Sequence, residues 1–236
     1  NEAVQVLQGH FVSKEAEYKK FCQIDILESD YSGMIRRVQS YADRLAHIQF
    51  YMQVEDIIKV GIARYKEKYL PGIKSEDPFV LYEKYSRRDV SLLMNCGKDL
   101  SSIMYGMKRI EDDVFIFITY HKEESQDEKN YVDGKPDYAD AFEDDLIFKW
   151  DSQIGKGLDS SYMKDVLEAE RKHLLVKKSD AETSFYYMGQ FTVVEARNAR
   201  KEDNRGRMQP ITKVTMKMHH PVREDLLRYL QSNITA

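Results

Sequence analysis

The chain has little of what usually gives a function away. Only two of its 236 residues are cysteine, Cys22 and Cys96, without Cys-x-x-Cys or Cys/His spacing. That excludes a disulfide framework and a thiolate zinc site, and points to buried thiols in a reducing, cytoplasmic setting. Among the six histidines, His121, His173, His219 and His220 lack metal-ligand spacing and read as hydrogen-bonded or exposed side chains, so no metal is expected. No glycine-rich phosphate loop is visible and no serine or cysteine sits in a nucleophile motif, so neither an ATP site nor a cofactor is expected. No apolar run approaches a membrane span and no leader pattern opens the chain, which excludes a membrane partner. The first residue is Asn rather than Met, as expected of a piece cut from a longer polypeptide.

What is present is polarised. The formal net charge is only −4, yet residues 123–145 hold ten acids against two bases. The stretch from Arg197 to Arg223 reverses this, with Arg197, Arg200, Lys201, Arg205, Arg207, Lys213, Lys217 and Arg223 against Glu202 and Asp203. Lys177 and Lys178 add to that side. Such a chain can present one cationic face while remaining acidic overall.

The first seventy residues predict packed helices, with apolar positions at helical spacing through Ile35, Val38, Tyr41, Leu45 and Ile48, then Val54, Ile57, Ile58 and Ile62. Leu70-Pro71-Gly72 ends the pattern. Beyond it the texture becomes short strands and small helices. Ser86 to Asp89 has capping-box spacing and opens a helix that Asn95 and Gly97 end. Val114–Tyr120 predicts a central strand, and Leu146–Trp150, His173–Val176, Phe185–Met188, Phe191–Glu195 and Ile211–Met218 predict further strands. A helix is expected over Ser161–Arg171, and another after Pro221. The expectation is an α+β chain whose strands form a strongly curved sheet or partial barrel.

One segment suggests chemistry. Tyr138, Asp140 and the sole tryptophan, Trp150, place two flat rings and an acid close together in sequence. Two rings can stack on an extruded base while a carboxylate accepts from an exocyclic amine such as cytosine N4. The plain alternative is a hydrophobic strand following an acidic loop.

Several longer stretches carry a resemblance. Phe79–Val90, Asp113–Lys122, the Phe148-x-Trp-x-Ser-Gln153 segment, His173-x-x-Val176, Phe185–Gly189 and His220-Pro-Val-x-x-Asp-Leu226 together resemble the C-terminal domain of SauUSI-type restriction enzymes. These are ATP-dependent type IV endonucleases that cut DNA carrying modified cytosine. The resemblance implies residues 1–73 as a helical coupling region and 78–236 as a target-recognition domain similar to the SRA (PUA-like) curved β-barrel, which flips 5-methylcytosine. It implies as partners double-stranded DNA containing modified cytosine, with the helicase/ATPase and nuclease parts on the same longer polypeptide; this fragment itself would not be an enzyme.

In SRA domains a tyrosine, an acid shortly after it and a second aromatic line the base pocket, and Tyr138, Asp140 and Trp150 fit that layout, with Trp in place of the family's second Tyr. Ser152 and Gln153 would reach the Watson–Crick edge or nearby backbone, and Tyr120 with His121 forms the alternative wall. Phosphate contacts would come from Arg205 and Arg207, with Lys213, Lys177, Lys178, Arg87 and Arg88 as further candidates. Flipping costs a few kcal/mol, which two stacked rings at about 1–3 kcal/mol per base can offset. A shaped pocket discriminates one methyl by about 1–3 kcal/mol, so selectivity is expected to be finite.

Two rival readings remain at this point. A protein-interaction module docking on the helicase motor would use the helical region and the acidic stretch. A metal-dependent nuclease would need Pro136-Asp137 beside Glu170-Arg-Lys172 on a strand, whereas the sequence places Glu170 and Lys172 at a helix end.

Overall fold

The computed structural model describes residues 26–29, 32, 34–68, 78–121, 131–132, 135–136, 140–203 and 205–232. They fall into two compact units, residues 1–80 with 87–102, and residues 81–86 with 103–236.

In the first unit a small hairpin, β1 (Leu27–Ser29) with β2 (Ile35–Arg37), precedes α1 (Gln39–Leu45) and α2 (Ile48–Lys68). Ile35 therefore lies on a strand rather than at the head of a helical stripe. Along α2, Ile48, Met52, Ile57, Ile58 and Val60 are all exposed. A further helix, α3 (Arg87–Leu93), ends where Asn95 and Gly97 both adopt left-handed backbone. Both residue types tolerate that conformation, which is why they stop helices.

The second unit is dominated by one eight-stranded mixed sheet. Its order is β4 (Met107–Ile110), β5 (Asp113–His121), β10 (Arg171–Ser179), β11 (Phe185–Glu202), β12 (Met208–Met218), β9 (Ile147–Asp151) and β8 (Ala141–Phe142), while β3 (Lys84–Tyr85) also pairs with β11. A separate pair joins β6 (Tyr131–Val132) to β7 (Lys135–Pro136). Neighbours are antiparallel except β5 and β10, which run parallel in register from Arg171↔Asp113 to Ser179↔His121. The sheet has two ends, β4 and β8, and does not close. This corrects the expected barrel: strands were legible from alternation, but closure depends on pairing between edges, which no local pattern encodes.

One hydrophobic cluster lies on one face of this sheet, and Phe115, Phe117, Leu175, Phe185 and Tyr187 are buried outside it. Phe148 and Trp150 on β9, Val214, Met216 and Met218 on β12, and Val114, Ile116 and Ile118 on β5 meet α4 (Ser161–Glu168) through Met163 and Val166 and α5 (Glu224–Gln231) through Leu226 and Leu230. Ser160 caps α4, its hydroxyl accepting from the Met163 N–H. That helix is shorter than the expected 161–171, because Ala169 leaves helical geometry and Arg171 begins β10.

The opposite side holds a buried polar chain. Arg171 donates from Nε and a terminal nitrogen to Asp113, His173 Nε2 lies 2.8 Å from Asp113 Oδ1, and His173 Nδ1 lies 2.9 Å from the Tyr187 hydroxyl. Phe115 stacks on the His173 ring at 4.6 Å. Burial pushes the Asp113 carboxyl upward, but the hydrogen bonds from His173 and Arg171 outweigh it and bring it down to about 2.

Two expected strands, 185–188 and 191–195, are one. β11 runs unbroken for 18 residues, because Gly189 at φ +98° bends the chain without ending it. Only glycine suits the position twice over: a Cβ there would also meet Leu81 Cδ2 at 2.8 Å.

Candidate nucleic-acid interface

The outer end of β11 and the first residues of β12, 198–202 paired with 208–212, form a two-stranded arm whose tip is the turn after Glu202, and below it β9 joins on the β12 side. Cross-strand partners share a face of a sheet. Arg197 pairs with Lys213, and Lys213 with Asp151, while Lys217 lies opposite Ile147 and Thr192. One face of this region therefore carries Lys149, Arg197, Lys201, Lys213 and Lys217. Several of these cations sit against carboxylates: Lys149 on Glu143 at 3.3 Å, Arg197 on Glu195 at 3.7 Å and Lys213 on Asp151 at 3.8 Å. Among the described residues, Arg200, Lys201, Arg205 and Lys217 have no ion pair.

The tip is organised by one carboxylate. Asp203 Oδ1 accepts from the backbone N–H groups of Arg205 and Arg207, both at 2.9 Å, and Oδ2 accepts from Arg207 Nε and Gln209 Nε2. The Arg207 hydrogen bonds and that from Arg205 hold the Asp203 carboxyl at about 2. Gly206, at φ +73°, closes the turn. Arg207 is consequently tied down, whereas the Arg205 side chain is exposed and has no ion pair among the described residues.

The remaining proposed phosphate contacts fare differently. Lys177 is buried, donating to the Glu182 carbonyl at 3.0 Å, pairing with Asp180 and lying over the Phe185 ring. Lys178 donates to Ser232 Oγ at 2.6 Å and covers the Tyr229 ring. These two lysines brace the β10–β11 turn and the C-terminal helix, so their assignment to DNA is withdrawn. Arg88 is exposed and 3.7 Å from Asp99, and Arg87 is half-buried at the start of α3.

The second feature lies at the α4 corner of the same unit. Alternation along β9 sends Phe148 and Trp150 inward and Lys149 outward, so Trp150 is only 4% exposed and joins the core. It is not an open stacking plate, and here the plain alternative, a hydrophobic strand, describes it. Its ring faces Tyr162 at 6.3 Å, tilted by 31°. Asp140 is also buried, with Oδ1 accepting the Asp151 N–H at 3.0 Å. The Tyr162 hydroxyl is fully buried and has no hydrogen-bond partner among the described residues. Burial, reinforced by the negative charge of Asp140, pushes its pKa well above that of a free tyrosine.

Gln153 completes the corner. Its Nε2 donates to the Tyr105 carbonyl at 3.2 Å and occupies the space above Gly106, where an added Cβ would lie 2.6 Å from Nε2 and 3.4 Å from the Tyr162 hydroxyl. The Tyr105 side chain is exposed. Phenol and amide thus converge near one glycine, next to the only tryptophan, and the Asp140 carboxylate is close enough for its charge to act on the phenol.

Ser152 does not join them. Its hydroxyl donates to the Lys156 carbonyl and accepts the Thr212 N–H, pinning the end of β9 to β12. Nor do Tyr120 and His121 form a second wall: Tyr120 is buried, its hydroxyl engaged by the Phe142 backbone and Gln231, and His121 Nε2 lies 2.7 Å from the Leu230 carbonyl. Tyr138 lies outside the described residues. The sequence reading missed Tyr162, Gly106 and Tyr105, since a tyrosine in the first turn of an amphipathic helix and a glycine after a tyrosine carry no pattern of their own.

The ground on which the nuclease template was set aside changes. Arg171 and Lys172 stand on strand β10, not on a helix. Lys172 Nζ, however, donates to the Ala169 carbonyl, and among the described residues there is no group of three His, Cys, Asp or Glu able to hold a metal. Asp137 of that template lies outside the described residues. No helix is long and apolar enough to cross a membrane.

Residues 79–230 match the model of a family described as a domain of unknown function, DUF3427. No curated protein matches the chain. Similar solved structures include Arabidopsis thaliana SUVH6 in complex with SAM, 11% identical over 98% of this chain and 39% of that one, with a TM-score of 0.39. The sulfur-binding and SRA domains of ScoMcrA, complexed with phosphorothioated DNA, are 11% identical over 65% of this chain and 45% of that one, with a TM-score of 0.34. The MspJI restriction endonuclease, complexed with a 27-mer oligonucleotide, is 11% identical over 48% of this chain and 31% of that one, with a TM-score of 0.32. The chain spans less than half the length of each of these proteins.

Proposed function

The chain belongs to the DUF3427 family, and we propose that it recognises 5-methylcytosine or 5-hydroxymethylcytosine in double-stranded DNA by extruding the base. The observation that carries this reading is the pairing, within one unit, of a cationic arm with a buried corner where Tyr162 and Gln153 converge beside Trp150, within reach of the Asp140 charge. The arm and the strands below it supply sequence-independent phosphate contacts through Lys201, Arg205 and Lys217. The corner supplies the base contacts: Asp140 accepts from cytosine N4 and so rejects thymine, whose O4 is an acceptor. The exposed Tyr105, whose backbone carbonyl accepts from Gln153, supplies the stacking ring in place of Trp150.

The same reading, with the resemblance to SauUSI-type enzymes, makes this chain the target-recognition part of a cytoplasmic type IV restriction endonuclease whose helicase and nuclease lie elsewhere on the polypeptide. Its N-terminal unit would dock on that motor. The run of exposed apolar side chains along α2 favours this second role, because single exposed apolar residues are ordinary but a helix-long series is not.

The test is fluorescence anisotropy at one fixed salt, comparing matched duplexes with and without a single 5-methylcytosine in varied flanking sequence. A preference of roughly tenfold or more is expected from one discriminated methyl in a shaped pocket. Equal binding of methylated and plain duplexes in every context sinks the proposal.

A further inference from the structure

Resting on that reading, we infer that Tyr162 makes the corner selective for a hydroxyl-bearing substituent at cytosine C5, so that 5-hydroxymethylcytosine is preferred to 5-methylcytosine. The starting point is the Tyr162 hydroxyl, fully buried and without a partner among the described residues. Buried polar groups are rarely left in that condition, because the lost hydration is not replaced. A ligand oxygen would complete it, whereas a methyl group would leave it as it is.

Position supports the same assignment. On cytosine the exocyclic amine lies between N3 and the C5 substituent, so of two groups flanking the amine's acceptor one faces the substituent, and we assign that place to Tyr162. Asp140 is fixed by the Asp151 N–H and lies close enough to Tyr162 for its charge to act on the phenol. That charge and the burial both keep the phenol protonated, hence a donor. The cover is Gln153, an exposed side chain whose amide rests over Gly106 next to the Tyr162 hydroxyl. A flexible amide end is readily displaced, and once moved it can donate to the base's O2 or N3.

The experiment compares wild type with Tyr162→Phe on duplexes that differ only in carrying cytosine, 5-methylcytosine or 5-hydroxymethylcytosine. Wild type is expected to favour hydroxymethyl over methyl by roughly two- to tenfold, the size of one net hydrogen bond. In Tyr162→Phe that ratio is expected to fall to about one, with thermal stability unchanged or raised, since the variant removes an unsatisfied group. Equal or weaker wild-type binding of hydroxymethylcytosine, with the methyl preference intact, overturns this inference and leaves the general reading standing. A hydroxymethyl preference that survives Tyr162→Phe overturns it too. If wild type fails to distinguish either modified base from plain cytosine, the underlying reading falls and takes this inference with it.

Discussion

Arg207 is clasped by Asp203: its guanidinium donates to Oδ2 at 2.9–3.0 Å while its own N–H donates to Oδ1. The arm tip thus divides its two arginines, one guanidinium holding the turn and the other, that of Arg205, left exposed.

This division is measurable in salt titrations of DNA binding. Arg205→Ala should weaken binding to all duplexes alike and lower the salt slope by about one, as expected for one lost phosphate contact. Arg207→Ala and Asp203→Ala should each loosen the tip. Because they break the same clasp, the double variant should bind DNA little worse than either single one. Additive losses would mean that Arg207 contacts DNA on its own account.

Acid should act on the Arg171–Asp113–His173 chain. The folded Asp113 carboxyl sits at about 2, below its ordinary 3.8, so it binds protons more readily when unfolded. Its contribution is present above about pH 4 and is lost as the pH falls towards 2, amounting to roughly 2 kcal/mol. In denaturant unfolding, Asp113→Asn should be destabilised by about 3 kcal/mol at neutral pH, since it removes the charge that pairs with Arg171 and turns one of the two acceptor oxygens into a donor. The gap to wild type should narrow as the pH drops. A gap independent of pH would show that the carboxylate's charge contributes nothing.

Trp150 is a core residue before it is anything else. Trp150→Ala should cost about 3–5 kcal/mol of stability, the usual range for emptying a buried aromatic site. Chemical unfolding would measure it directly. Loss of methyl-specific binding in that variant then reports unfolding as well as recognition. A cost below 1 kcal/mol would mean the tryptophan is far less packed than its 4% exposure indicates.

These positions show what could be read from sequence. Val114–Tyr120 was legible as a central strand from its unbroken β-prone run, buried on both faces, and Ile211–Met218 from the alternation that one buried face leaves. Residues 198–202 were not, because on the projecting arm both faces meet solvent and no period of two survives. The polar corner was half legible. Asp140 and Trp150 stood out by type, but Tyr162 is brought to them by the turn between β9 and α4, a tertiary event without a local signature. Lys177 and Lys178 misled for the converse reason: composition counts cations without showing that Glu182, Asp180 and Ser232 already engage them.

The parallel pairing of β5 with β10 has a kinetic consequence. Asp113 meets Arg171 in register, so the two strands cannot join until the 57 residues between them, 114–170, have been looped out. Antiparallel β10, β11 and β12 are adjacent in sequence and need no such closure. Non-local pairing slows folding because ordering precedes reward. The C-terminal meander should therefore assemble first and serve as the template on which β5 docks late. During synthesis, β5 would leave the ribosome well before its partner exists, an apolar strand waiting for the rest of the chain.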